Sequence, residues 1–170
     1  TFTNFPVVRV VIEKAGGAPV LVKDAISIAE AITTTGEVPR ITSFEKVEGF
    51  HIVENESLQN DDMVDDQSLV INVENKGLVI IAGCAHSGII NTIKHAQKLT
   101  KTDKIYAVLG GFHLISGNDK KIQSTVEDLK QFDPKLVAPC HCTGKKATKK
   151  IAEAFGTRCR VLCTGDTVEL

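Results

Sequence analysis

No stretch of this sequence approaches the roughly 18 consecutive apolar residues that a membrane-spanning helix requires, and no charged, then apolar, then small-residue leader opens it. Net charge is also scarce, with 20 lysines and arginines against 21 aspartates and glutamates. That balance gives no electrostatic footprint for nucleic acid or a membrane surface, so partners must be sought in specific sites. Cysteine is present but in an odd number, five, without the dense spacing of secreted disulfide scaffolds. Reduced thiols and a cytoplasmic setting follow as the expectation. Internal repeats and low-complexity tracts are missing too. What is there, 170 residues that are 42% hydrophobic, suffices for a single domain with its own core.

Residues 1–67 read as irregular β structure. The β-branched runs "FPVVRVVIE" (5–13) and "PVLVK" (19–23), separated by Gly16-Gly17, suit a hairpin. "AISIAEAI" (25–32) fits strand or helix, "TTTGEVPR" (33–40) is turn chemistry, and the acidic stretch 54–67 reads as a solvated loop. From Ser68 the pattern becomes regular. "SLVINVE" (68–74), "NKG" and "LVIIAG" (78–83) make strand, turn and strand, followed by a helix over 89–99. Strand-like runs at 104–110, 135–139 and 159–163 then alternate with helices at 124–132 and 145–155, the first opening on a Ser124/Glu127 capping box.

Strand and helix in alternation predict parallel βαβ units, an α/β class in which all strand C-termini share one edge. Three of the five histidines stand at those ends: His86 in "GCAHSG", His113 in "GGFHL" and His141 in "PCHCTG". Open α/β sheets bind ligands outside the carboxyl ends of their strands, and three neutral imidazoles converging there suit a divalent metal such as zinc. His95 and His51 lack such placement and read as structural or solvent-facing. Asp65 and Asp66 could support a metal ligand or act as general bases, and Asp166 could be a ligand, but all three read in preference as turn formers. Thr143, Gly144 and Lys145 open a helix, whose free N–H groups suit a phosphate or an ordinary cap.

The segments "DDQSLVINVENKGLVIIAGCAHSGIINTIKHA", "YAVLGGFHL" and "PCHCTG", with the earlier "TTTGEVPR", resemble the C-terminal two-thirds of metallo-β-lactamase-fold proteins. The nearest branch in resemblance is that of the 7,8-dihydropterin-6-methyl-4-(β-D-ribofuranosyl)aminobenzene 5'-phosphate synthases. The resemblance implies a four-layer αββα sandwich (α/β, or α+β in some schemes) with one or two divalent ions, usually zinc, at the edge between its sheets. It implies that His86 is a ligand of the first metal and His141 of the second. His113 falls where many members place a bridging aspartate, which is a departure.

A larger departure is that the superfamily's H-x-H-x-D-H motif occurs nowhere in the 170 residues. With the start at Thr1, the expectation is one domain over 1–170 that is the C-terminal portion of a longer protein. The remainder would be a separate N-terminal fragment or missing, and this chain alone would be weakly active or inactive. The intact protein would be a zinc-dependent hydrolase or an enzyme processing phosphate esters or diphosphates, acting on a small phosphorylated molecule. The alternative the resemblance implies is a pterin-aminoarene synthase displacing pyrophosphate. Two further readings come from other classes. Cys140, Cys142, Cys159 and Cys163 could hold a structural zinc or an iron–sulfur cluster, or the chain could be a non-catalytic binding module.

Overall fold

The computed structural model describes residues 5–46, 49–54 and 56–170. In chain order these form helix α1 (Phe5–Lys14), strands β1 (Ser27–Ala29), β2 (Ile32–Thr34), β3 (His51–Glu54), β4 (Ser57–Asn60), β5 (Ser68–Val73) and β6 (Gly77–Ala82), then helix α2 (Ile89–Thr100). Strand β7 (Ile105–Gly111), helix α3 (Asp119–Gln131), strand β8 (Leu136–Cys140) and helix α4 (Lys145–Phe155) complete the series. A six-stranded sheet runs in the order β1-β2-β5-β6-β7-β8, and β3 pairs with β4 in a separate hairpin. Strands β6, β7 and β8 are parallel, as the βαβ pattern requires, while β5 returns antiparallel into β6.

Side-chain alternation divides the sheet into two faces. Leu78, Ile80 and Ala82 of β6 join Ile89, Ile90 and Ile93 of α2, Ile122, Val126 and Leu129 of α3, and Ala147, Ile151 and Phe155 of α4 in the main core. Each fully enclosed isoleucine or leucine there contributes about 1.5–3 kcal/mol of burial free energy. Val79, Ala107, Leu109 and Ala138 face the other way, where Leu162 and Val168 of the C-terminal segment pack on them. Leu78 pairs with Ile105 but Val79 pairs with Ala107, so one residue of β7 is extra at Tyr106. Ile105 and Val108 can therefore both point to the helical side despite their odd separation.

Several sequence expectations are corrected. "FPVVRVVIE" lies in α1 rather than in a strand, and residues 19–23 form no strand. β-propensity is realised only against a partner strand. Here the segment satisfies its backbone locally, Gly16 and Gly17 bonding back to Glu13 and Ile12, while Val10 and Val11 stay exposed. The acidic loop holds β4, which pairs His51 to Asn60 and Glu54 to Ser57. α3 begins five residues before Ser124, because the Asn118 side chain accepts the Lys121 N–H at 2.9 Å and caps the helix there. The last expected strand, 159–163, shrinks to one bridge between Cys159 and Val137, since Leu162 turns onto the open sheet face instead.

Candidate metal centre

The three parallel strands end in three turns that share a backbone feature. Ala85, His113 and His141 all occupy left-handed conformations, with φ of 52°, 45° and 49°. Such residues cost about 1–2 kcal/mol each when they carry a Cβ, and strain of this kind collects at functional sites. The turns are also tied together. Leu114 and Ile115 donate to the Cys142 carbonyl at 3.2 and 3.1 Å, and Gly111 donates to the Gly83 carbonyl at 3.0 Å. A Cβ on Gly111 would lie 2.7 Å from the Cys142 sulfur, so only glycine lets the turns approach this closely.

Sequence reasoning placed His86, His113 and His141 in equivalent positions, and the structure arranges them in two neighbouring groups. His86 and His113 are in direct contact, ring centroids 4.6 Å apart and edge to face, with Phe50 against both at 5.4 and 5.7 Å. Asp66 stands behind His86, its Oδ1 3.2 Å from Nδ1, leaving Nε2 as the ring nitrogen free for a ligand. Asp66 was read from sequence as a turn former. Its 6% side-chain exposure and its bond to His86 favour instead the supporting-carboxylate role that the sequence also allowed, with a partner 20 residues away that sequence could not name. Burial pushes the Asp66 carboxyl above its usual range, with His86 opposing the rise. His113 is held down to about 4, chiefly by burial and then by His86 and Lys121. It is neutral at pH 7, and its Nδ1 is enclosed without a hydrogen-bond partner among the described residues.

His141 belongs to the second group. Its ring nitrogen and the sulfurs of Cys84 and Cys142 all lie within 4.8 Å of one another. Cys142 also donates to the Cys84 carbonyl at 3.4 Å. Burial, with Cys84 adding to it, pushes the Cys142 thiol up to about 11. The thiol is therefore protonated at neutral pH until a cation displaces the proton. The cysteine cluster considered from spacing, Cys140 with Cys142, Cys159 and Cys163, is not what the fold assembles among the described residues. Cys84 takes part because β6 and β8 both end beside β7, a neighbourhood that no sequence spacing records.

Of the phosphate candidates, Thr143 is fully buried and its hydroxyl oxygen accepts the Phe112 N–H at 3.1 Å, fixing the residue before His113. Gly144 starts α4 with φ of 75°, and Lys145 is exposed. Outside the site, His51 is exposed, His95 bonds the Thr35 carbonyl at 3.0 Å, and Asp166 accepts the Cys163 N–H at 2.8 Å as a turn residue.

Both groups fit a divalent ion by donor chemistry. One offers two imidazoles, including the orphaned His113 nitrogen, with a carboxylate orienting the other ring; the second offers two thiols and an imidazole.

The chain's architecture matches that of the crystal structure of Tm1679, a metal-dependent hydrolase of the β-lactamase superfamily, with a TM-score of 0.76 and 27% identity over 91% of this chain and 59% of that one. The chain has the fold of the metallo-β-lactamase superfamily. The sequence is 40% identical over 148 residues to 7,8-dihydropterin-6-methyl-4-(β-D-ribofuranosyl)-aminobenzene-5'-phosphate synthase of Methanocaldococcus jannaschii. It is 35% identical over 133 residues to a second protein of that organism, MJ0448, of uncharacterized function. These matches take in 85% and 78% of this chain, which spans about half the length of the curated relatives, 50% and 48%. No family model matches the chain. None of the described helices is long and apolar enough to cross a membrane.

Proposed function

We propose that this chain carries one side of the metal centre of an enzyme that processes a phosphate ester or diphosphate of a small molecule. The observation that supports this best is the contact between His86 and His113 at two adjacent strand ends, backed by Asp66 and including an enclosed, unpartnered imidazole nitrogen. His86, His113 and His141 are the ligands in this reading, with zinc the metal that imidazole and thiol donors favour, one ion at each group. A divalent ion so held polarises a phosphoryl oxygen and balances the charge of a departing phosphate. The chain's own contribution is to hold the imidazoles in place. Asp66 fixes the His86 ring, and the Thr143 hydroxyl fixes the backbone entering His113.

Two reactions are compatible with such a centre. Water attack on the phosphorus would make the enzyme a hydrolase, the general class to which Tm1679 is assigned. Attack of the aminoarene on the methyl carbon of a pterin methyl diphosphate, with that carbon–oxygen bond breaking to release pyrophosphate and the nucleophile's proton passing to solvent, would make it a synthase. The 40% identity to the synthase favours the second for the protein to which this sequence belongs. The five free thiols suit a reducing compartment such as the cytoplasm.

The test is zinc content and product analysis together. The chain should bind zinc in a form that His86→Ala weakens at least tenfold, and its turnover, weak for one side of a centre, should release pyrophosphate from a pterin methyl diphosphate only when the aminoarene acceptor is added. Orthophosphate release without an acceptor would favour the hydrolase, and zinc affinity unchanged in His86→Ala would overturn the assignment of the centre.

A further inference from the structure

Beside His113 a cleft of about 410 Å³ opens between residues 43–46 and the start of α3. Three lysines line it, Lys46, Lys120 and Lys121, together with the hydroxyls of Ser116 and Ser124, and among the described residues neither aspartate nor glutamate lines it. In a chain whose acidic and basic residues balance almost evenly, three lysines in one cleft are a local excess of positive charge, which the Glu45 carboxylate offsets only at Lys121. The fold enforces it. Asp119 is the acidic residue nearest in sequence to Lys120 and Lys121, but its carboxylate is directed to Lys146 and Lys150 of α4 at 3.0 and 2.7 Å. Lys121 in turn ties the two walls, donating from its ammonium to the Lys46 carbonyl at 3.1 Å.

We infer that this cleft, and not the start of α4 at Thr143–Lys145, is where the phosphoryl group of the substrate binds. The inference rests on the phosphate-processing reading above and specifies the part of the surface that would hold the anion. The Lys46 and Lys120 ammoniums each supply up to three charge-assisted donors, Lys121 those not given to the Lys46 carbonyl, the serine hydroxyls supply neutral ones, and the start of α3, its Lys121 N–H already bonded to Asn118, adds a favourable dipole. His113 lines the same cleft, so a phosphoryl group seated on the lysines lies alongside a metal ligand candidate. Thr143, by contrast, has no exposed surface to offer.

The experiment is a titration of the metal-free chain with inorganic pyrophosphate, followed residue by residue through backbone amide NMR shifts. Removing metal separates anion binding from the centre, and Lys149→Gln, at an exposed lysine of α4 outside the cleft, should leave the affinity unchanged. Saturable shifts at Ser116, Gly117, Lys120 and Lys121 are expected, and Lys120→Gln should weaken binding about fivefold to tenfold, the range for losing one charge-assisted contact on a partly solvated surface. Lys121→Gln should weaken it more, and Lys120→Gln, whose ammonium is exposed, keeps the test valid if Lys121→Gln disturbs the fold. Saturable shifts centred on residues 143–145 that Lys145→Gln abolishes, or an affinity indifferent to both cleft variants, would overturn the inference.

Discussion

Glu45 and Asn91 cap each other across 46 positions of sequence. The Glu45 carboxylate accepts the Asn91 N–H at 2.8 Å and the Ile90 N–H at 2.9 Å, while the Asn91 side-chain oxygen accepts from Ile41 and Thr42 at 3.0 and 2.9 Å. Gly88, the cap residue of α2, has no side chain of its own, and any Cβ there would collide with the Glu45 carboxyl. The helix that follows the His86 turn is thus closed at its positive end by a carboxylate from a distant loop.

Glu45→Ala should destabilise the fold by about 1–3 kcal/mol, because two buried N–H groups lose their acceptor. Burial raises the Glu45 carboxyl above its ordinary value, outweighing its hydrogen bonds to the helix. The folded state therefore binds the proton more tightly than the unfolded chain. That contribution is fully present below the ordinary carboxylate pKa and declines as pH rises through the raised one. Urea denaturation from pH 4 to 8 should show wild type losing ground to Glu45→Gln as pH increases; a difference that is flat or grows with pH would contradict this.

Asp119 behaves in the opposite sense. Hydrogen bonds from Lys150 and Lys146 hold its carboxyl down to about 2, so its contribution is present above the ordinary carboxylate pKa and lost as pH falls through the lower value. Asp119→Asn should flatten the acid limb of the stability curve between about pH 4 and pH 2. Because the group is fully exposed the effect should be small, and high salt should diminish it.

His141 pairs strain with function. Its left-handed backbone means that His141→Gly should raise the denaturation midpoint by the equivalent of about 1 kcal/mol while weakening metal binding. Scanning calorimetry of the apo protein alongside zinc titration checks both. A variant that loses stability, or keeps full metal affinity, would break the link between the strained turn and the centre.

Thiol ligation can be seen directly. Cobalt substituted for zinc should give a near-ultraviolet thiolate-to-metal charge-transfer band that Cys84→Ser and Cys142→Ser each reduce, since both sulfurs lie within reach of the same ion. Cobalt bound with no such band would confine the metal to the histidine pair.

Much of this was legible in the residues themselves. The alternation from Ser68 onward and the three "His at strand end" positions follow from local periodicity and from the rule that parallel strands share an edge. The N-terminal runs were misread because β-branched composition says nothing about whether a sheet edge is within reach. The strand expected at 159–163 failed for a related reason, the competition of the open sheet face for Leu162.

The sequence by itself determined the βαβ order, the sharp glycine turns and the placement of His86, His113 and His141 at one edge, because these depend on interactions within a few residues. Only the tertiary structure decided which groups meet there. His86 found His113 and Asp66, His141 found two cysteines, and Asp119 was drawn away from the lysine cleft, because strand order and helix packing bring together side chains that lie 20 to 60 residues apart along the chain.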